Sequence, residues 1–344
     1  MKNSDKPSNK PERGPSSGGV QHVTAGPEDA GQRIDNFLLR ILKGAPRSLV
    51  YRIIRKGEVR VNKGRTKPTY KLVEGDVVRV PPVRLGDDAP SKPPPKGAQE
   101  LLGDRIIHED DRVIVINKPA GMAVHGGSGL SFGVIEALRA LRPDAPFLEL
   151  VHRLDRETSG CLIVAKKRSA LRRLHSLLRG EQGGMEKRYL TLVAGSWSYR
   201  REEIRTFQRK IEQGGERMVR VVEPDTPGAK EALSRFKAVD YYPGSTLMQV
   251  EIDTGRTHQI RVQAAHVGHP VIGDDKYGNP EANEHFRKLG LKRLFLHAMA
   301  LSFVWPDSDE RFDVSVPMDD DLREVINKLE SGGGEAGPGR REGR

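Results

Sequence analysis

Apolar residues first fall into a regular spacing near residue 31. In RIDNFLLRIL, Ile34, Phe37, Leu38 and Ile41 recur at i, i+3, i+4 and i+7, one face of a helix. GAPR interrupts the pattern at Pro46, and Ser48 is placed to cap a second helix over LVYRIIRKG. That helix buries Leu49, Ile53 and Ile54 and projects Arg52, Arg55 and Lys56. Gly57 ends it, and short β segments follow at EVRVN and GDVVRVP. After a proline-rich stretch the apolar runs lengthen. RVIVINKP reads as a buried strand stopped by Pro119, GVIEALRALR as an amphipathic helix and CLIVAKK as another strand. A basic helix, RSALRRLHSLLR, follows with Leu171, Leu174 and Leu178 on one face. KRYLTLVAG, SRFKAVDYY and STLMQVEID read as further strands, and in the last Met248, Val250 and Ile252 alternate inward. Strands in succession with irregularly placed helices predict an α+β fold rather than a βαβ repeat.

Between and outside these elements the sequence loses its period. Residues 1–20 are Pro, Gly, Ser and charge, and residues 331–344 are similar, so both are expected to be disordered tails. Residues 86–102 read as a semi-rigid, Pro-rich linker. The expected organisation is a small domain over 21–85 and a larger one over 103–330.

Charge sharpens this division. The 344 residues carry a net charge of +11. Residues 31–85 alone hold 14 lysines and arginines against four acids, Asp35, Glu58, Glu74 and Asp76. Nearly all of the excess therefore sits in one short segment, which favours a polyanionic partner through phosphate contacts and counterion release. Solvated surface charge is the bland alternative. Two helices and a small sheet in that segment, with RIDNFLL, YRIIRKGEVRVNK and GDVVRVP in order, resemble the S4-type RNA-binding module. Arg47, Arg52, Arg55, Lys56, Arg60 and Lys63 are its candidate RNA contacts. A single cysteine, Cys161, excludes an internal disulfide framework and a cysteine-based zinc site. It opens an apolar strand and reads as a small buried hydrophobe. The N-terminus lacks an apolar signal core and no run is long enough to span a bilayer, so the expected location is the cytoplasm.

The densest chemistry is VHRLDRETSGCLIVAKK, residues 151–167. Its polar half precedes a wholly apolar strand, so Asp155 is expected on a loop carried by a rigid sheet. Arg153 and Arg156 flank it and would keep a partly desolvated carboxylate ionised. From the residues alone, Asp155 is either a nucleophile for an anomeric carbon or a turn carboxylate between surface arginines. HGGSG lacks the Lys-Ser/Thr of a phosphate loop and reads as a flexible loop, and His258, His266 and His269 lack metal-ligand spacing and read as core or RNA-facing. No metal site is expected.

HRLDRETSG resembles the signature of the pseudouridine synthases, in the branch that modifies large-subunit ribosomal RNA and some transfer RNAs. The resemblance extends through NKPAGMAVHGG (117–127), KRYL (187–190), TGRTHQIRVQAAHVGHPVIGDDKYG (254–278) and LFLHAMALSF (294–303), in the family's order. It implies the family's fold, a mixed, mainly antiparallel sheet with flanking helices, behind an S4-type domain. It implies that Asp155 is the essential aspartate, that Tyr189 lies against the target base, and that Arg261 pairs with the catalytic carboxylate. Arg153 matches the position suggested to fill the gap left by the flipped base. Lys118, Asp274 and Asp275 match positions read as structural. The implied reaction isomerises uridine in 23S ribosomal RNA and needs neither redox cofactor nor ATP, because no electron or group is gained. No membrane partner is expected, and the enzyme is expected to act as a monomer. Two rivals differ in class. An inert RNA-binding assembly factor would not need Asp155, Tyr189 and Arg261 together, and an RNA glycosidase would need a second carboxylate to activate water.

Overall fold

A computed structural model describes residues 19–42, 45, 47–83, 94–126, 130–181, 183–199, 201–213 and 215–331. Most of the two expected tails, the first half of the expected linker, Pro46 and residues 127–129 of the glycine-rich loop lie outside these, as does the side chain of Arg47. The chain divides into two compact units, one ending at residue 91 and the other starting at 92.

The first unit runs β1 (Gln21–Thr24), α1 (Ile34–Ile41), α2 (Arg47–Arg55), β2 (Arg60–Val61), β3 (Gly64–Arg65) and β4 (Val77–Val80), with sheet order β1-β4-β2-β3. Ile34, Phe37 and Leu38 of α1 are fully buried, as their spacing predicts. Helix α2 starts two residues earlier than expected, so the backbone of Ser48 lies within its first turn. Its core face is Val50, Ile53 and Ile54, with Leu49 only partly covered. Strand β1 carries no sequence signal because its residues are mostly exposed. Asn62 and Lys63 both take positive φ, the two-residue turn that lets β2 and β3 pair with the right twist. Of the four acids within residues 31–85, two are buried and used internally. Asp35 accepts from Arg33 and Tyr51, and Asp76 from Asn62, Tyr70 and the Val73 amide. The solvent-facing charge is more uniformly positive than the count suggests.

The second unit begins with α3 (Lys96–Gly103), which corrects the linker reading: its last residues are helical, with Leu102 buried in the core. There follow β5 (Ile106–Glu109), β6 (Val113–Lys118), α4 (Val134–Leu141), β7 (Glu149–Leu150), β8 (Ser159–Ala165), α5 (Arg168–Leu178) and β9 (Glu186–Ala194). Then come β10 (Arg201–Gln213), β11 (Glu216–Val222), β12 (Lys230–Tyr242), β13 (Ser245–Ile252), α6 (Gln259–His266), α7 (Pro280–Lys288), β14 (Leu296–Val304), β15 (Arg311–Ser315) and α8 (Asp320–Ser331). All eleven strands join one sheet, ordered β11-β10-β12-β13-β9-β14-β8-β6-β5, with β15 beside β14 and β7 beside β8. Pairing is antiparallel except between β8 and β14.

Side-chain alternation puts separate cores on the two faces of this sheet. Val193, Met248, Val250 and Ile252 pack with Trp197, Phe236 and α6 on one face. Leu192 and Leu247 pack with Phe286, Phe295 and Leu322 from α7, α8 and the segment before β14 on the other. A third core surrounds β6 and β8, whose residues are all buried, and seals them with α4 and α5. On α5 the buried positions are Ala170, Leu174 and Leu177, while Leu171 and Leu178 only flank the core. Cys161 is fully buried there, and burial pushes its thiol up to about 12.

Candidate active site

The loop that carries Asp155 joins β7 to β8 and is tied down at both ends. The Val151 amide donates to the Ile163 carbonyl (3.1 Å), and the Ile163 amide donates to Nε2 of His152 (3.1 Å). The imidazole is thus used as an acceptor. Burial, then the nearby Lys187 charge, brings His152 down to about 4 and keeps it neutral. At the far end the Thr158 amide donates to the Asp155 carbonyl (3.2 Å), and Gly160 enters β8 at φ +109°. A Cβ there would lie 2.3 Å from the Ala298 carbonyl oxygen, so the β8–β14 pairing requires glycine.

A buried lysine braces the same loop. Lys118, at the end of β6, donates to the carbonyls of Pro119 (2.9 Å), Met122 (2.8 Å) and Arg156 (3.1 Å). Burial lowers its pKa to about 7, against the opposing pull of Glu157 and Asp155. Arg156 is committed to the same junction, donating from Nε to the Gly121 carbonyl (2.9 Å). This corrects the expectation that the flanking arginines are what keeps Asp155 ionised. Arg153 is exposed, and Arg156 turns away to the backbone and to Glu157 (3.5 Å).

The side-chain nitrogens that approach Asp155 come from α6 and its cap. Nη1 of Arg261 lies 4.0 Å and Nε2 of His258 3.8 Å from Oδ2 of Asp155, whose side chain is 21% exposed. Arg261 directs its closest bonds elsewhere, gripping buried Asp274 through Nε (2.7 Å) and Nη2 (2.6 Å). Burial would raise the Asp274 carboxyl, but the Arg261 guanidinium and the amides of Tyr277 and Lys276 hold it below its ordinary value. The Tyr277 ring lies under the Arg261 guanidinium at 5.1 Å, and its hydroxyl sits 2.8 Å from Nδ1 of His258. Tyr189, on β9, packs between two of the cores. Burial, then the Asp155 charge, raises its pKa well above the ordinary phenol value, so it is a neutral hydroxyl at physiological pH.

The structure thus gathers Asp155, Tyr189 and Arg261 from three separate segments. It adds His258, Asp274, Tyr277 and Lys118, which the residue-level reading had not placed at the carboxylate. Their signal was present as the TGRTHQIR and GDDKYG blocks, but nothing in the local pattern shows that the two meet. Cys161, His266 and His269 make no hydrogen bond or ion pair with Asp155; Nδ1 of His269 instead donates to the Ala194 carbonyl (2.8 Å), and its ring packs on Trp197. Of the candidate RNA contacts, Arg52, Arg55, Lys56, Arg60 and Lys63 are exposed. Among the described residues no group of three or more His, Cys, Asp or Glu side chains is arranged to hold a metal ion, and no helix is long and apolar enough to cross a membrane.

Residues 112–266 match the model of the RNA pseudouridylate synthase family, and residues 32–78 match the S4 domain. The chain is 53% identical over 312 residues to the ribosomal large subunit pseudouridine synthase C of Yersinia pestis, covering 90% of this chain and 96% of that protein. It is 52% identical over 314 residues to the protein of the same name from Escherichia coli K12, covering 90% and 97%. Among solved structures, human RNA pseudouridylate synthase domain containing 4 shares the fold at a TM-score of 0.57 and 23% identity, over 68% of this chain and 97% of that one. With the signature aspartate seated on the braced loop and relatives this similar over nearly their full length, the chain belongs to the RNA pseudouridylate synthase family.

Proposed function

We propose that this enzyme isomerises uridine to pseudouridine in 23S ribosomal RNA of the large subunit, with Asp155 as its essential carboxylate. The observation that carries the site assignment is the seat of Asp155: a braced loop, mostly covered, with Arg261 and His258 about 4 Å away. The substrate class is supported by the names of relatives at 52–53% identity and by the S4 match over the basic segment.

Isomerisation breaks the bond from C1′ to N1, turns the uracil and joins C1′ to C5. Neither carbon is accessible in a stacked helix, so the nucleotide must be flipped into the site at roughly a few kcal/mol. Tyr189, neutral and held by two cores, offers the flipped base a stacking face. Arg153, exposed on the same loop, is the side chain that fills the vacated place in the RNA. Asp155 either attacks C1′ or takes the C2′ proton to give a glycal, and in both routes it must be ionised. Arg261 provides the charge for this while Asp274 fixes its direction. Asp274 is itself fully covered and held by the guanidinium, so it cannot activate water. That disfavours a glycosidase.

In this reading residues 21–85 grip the RNA through Arg47, Arg52, Arg55, Lys56, Arg60 and Lys63, and the catalytic domain, extended to include α3, acts as a cytoplasmic monomer. Asp155→Asn is expected to fold normally and to release no tritium from 5-tritiated uridine in ribosomal RNA. Appreciable turnover by the purified variant would remove Asp155 from the mechanism, and release of free uracil by the parent enzyme would favour the glycosidase.

A further inference from the structure

His258 stands out because its backbone and both ring nitrogens are constrained. It takes φ +55° at the cap of α6, a left-handed conformation that is uncommon outside glycine. Such strain persists only where the surroundings enforce it, and it collects at functional sites. Its ring meets the Tyr277 ring edge-on at 5.5 Å. The Tyr277 hydroxyl already accepts the Val219 amide of β11 (2.9 Å). Its own proton can then be given to Nδ1 of His258, at 2.8 Å. A ring nitrogen that accepts leaves the hydrogen on the other one. In that tautomer Nε2–H faces Asp155.

The ring is neutral in this setting. Burial lowers its pKa, with Arg261 and Lys276 acting in the same direction against Asp155 and Asp274. Its place at the positive end of α6 also disfavours a second positive charge. Both close approaches to the candidate nucleophile, from Nε2 of His258 and Nη1 of Arg261, are to the same atom, Oδ2.

We infer that His258 is a positioning residue: Tyr277 locks it with hydrogen on Nε2, and it presents that N–H to Oδ2 of Asp155. With Arg261 on the same oxygen, Oδ1 is left to meet the ribose. At 3.8 Å the contact is longer than a hydrogen bond, and catalytic contacts of this kind tighten when substrate binds. The inference rests on Asp155 being the essential carboxylate, as proposed above.

Nitrogen-15 spectra of the full-length protein labelled at histidine, near pH 8, test the tautomer directly, with His258 assigned by its loss in His258→Asn. The expected spectrum shows a protonated Nε2 and a bare Nδ1, and in Tyr277→Phe a mixture of tautomers. Hydrogen on Nδ1 in the parent protein overturns the inference. Single-turnover tritium release gives the kinetic side. His258→Ala should lower the maximal rate roughly 10- to 100-fold, the scale of a small misplacement of a reacting group, with half-saturating RNA unchanged within about twofold. His258→Asn, which tolerates the left-handed backbone and keeps an N–H, should recover part of that loss. Tyr277→Phe should lower the rate less, and adding it to His258→Ala should cost nothing further, the non-additivity of one linked unit. A maximal rate within about twofold of the parent in folded His258→Ala, or fully additive losses, overturns the inference. Should His258→Ala fail to fold, Tyr277→Phe and the spectra still decide. Asp155→Asn run alongside separates the two claims: its turnover would sink the site assignment, while an inactive Asp155→Asn beside a fully active His258→Ala would sink only this one.

Discussion

Arg261 illustrates how a correctly located residue can have a second, closer partner besides the one anticipated. The resemblance implied a pair with Asp155, yet the bidentate bond goes to Asp274 and Asp155 lies at 4.0 Å. A guanidinium fully engaged with Asp155 would tie up the oxygens that must react. Held by Asp274, it contributes charge at a distance instead. Removing one member of a buried pair leaves the other uncompensated, at about 3–5 kcal/mol. Asp274→Ala is therefore expected to lower the unfolding free energy measured in urea by that order and to abolish most turnover, because Arg261 loses its anchor. A variant of parental stability and activity would show the pair to be dispensable. Asp155, Tyr189 and Arg261 were legible because each lies in a recognisable motif. His258 was not, because a histidine in a loop–helix junction has many possible surroundings, and only the three-dimensional junction of residues 155, 258 and 277 singles it out.

Elements were legible where burial and periodicity agree, and illegible where polar residues are buried. β13 and β8 followed directly from their apolar pattern. β10 did not, because its inward face includes Thr206 and Gln208, both almost fully covered, so the alternation is hidden. Helix α6 buries Gln259, Arg261 and Gln263 together with its apolar residues, and shows no amphipathic stripe. Gln263 there donates to the carbonyls of Ile204 and Ala232 and accepts from Ser234, linking helix to sheet. The histidines buried around the Asp155 loop give the fold a pH signature. Burial depresses His152 to about 4 and lowers His175 and His297 as well. Their contribution is complete above the unfolded value of about 6.5. As pH falls below that value the unfolded chain takes up protons that the folded one refuses, so stability declines towards pH 4. Urea unfolding between pH 7.5 and 4.5 should show this fall, and His152→Gln, which can still accept from the Ile163 amide, should make it shallower. An unchanged slope would mean that His152 is not the titrating group.

For the molecule as a whole, the division into two units gives the basic segment a separable task. Deleting residues 1–85 is expected to weaken RNA binding and reduce its salt dependence, since each lost phosphate contact removes close to one from the slope of log affinity against log salt. Tritium release from a saturating RNA should survive. Equal affinity of truncated and full-length enzyme at every salt concentration would refute the gripping role. The uneven charge along the sequence made this division readable, whereas the closure of the large sheet was not, because it depends on strands far apart in the chain. Strand β14 lies between β8 and β9, although both are made well before it. A ribosome translating this message therefore extrudes Asp155, on the loop leading into β8, and Tyr189, on β9, early, and the facing edges of these two strands stay unsatisfied until the last part of the chain emerges. No fragment ending before Leu296 possesses a continuous sheet, so a prematurely terminated product would expose sticky edges and do no chemistry.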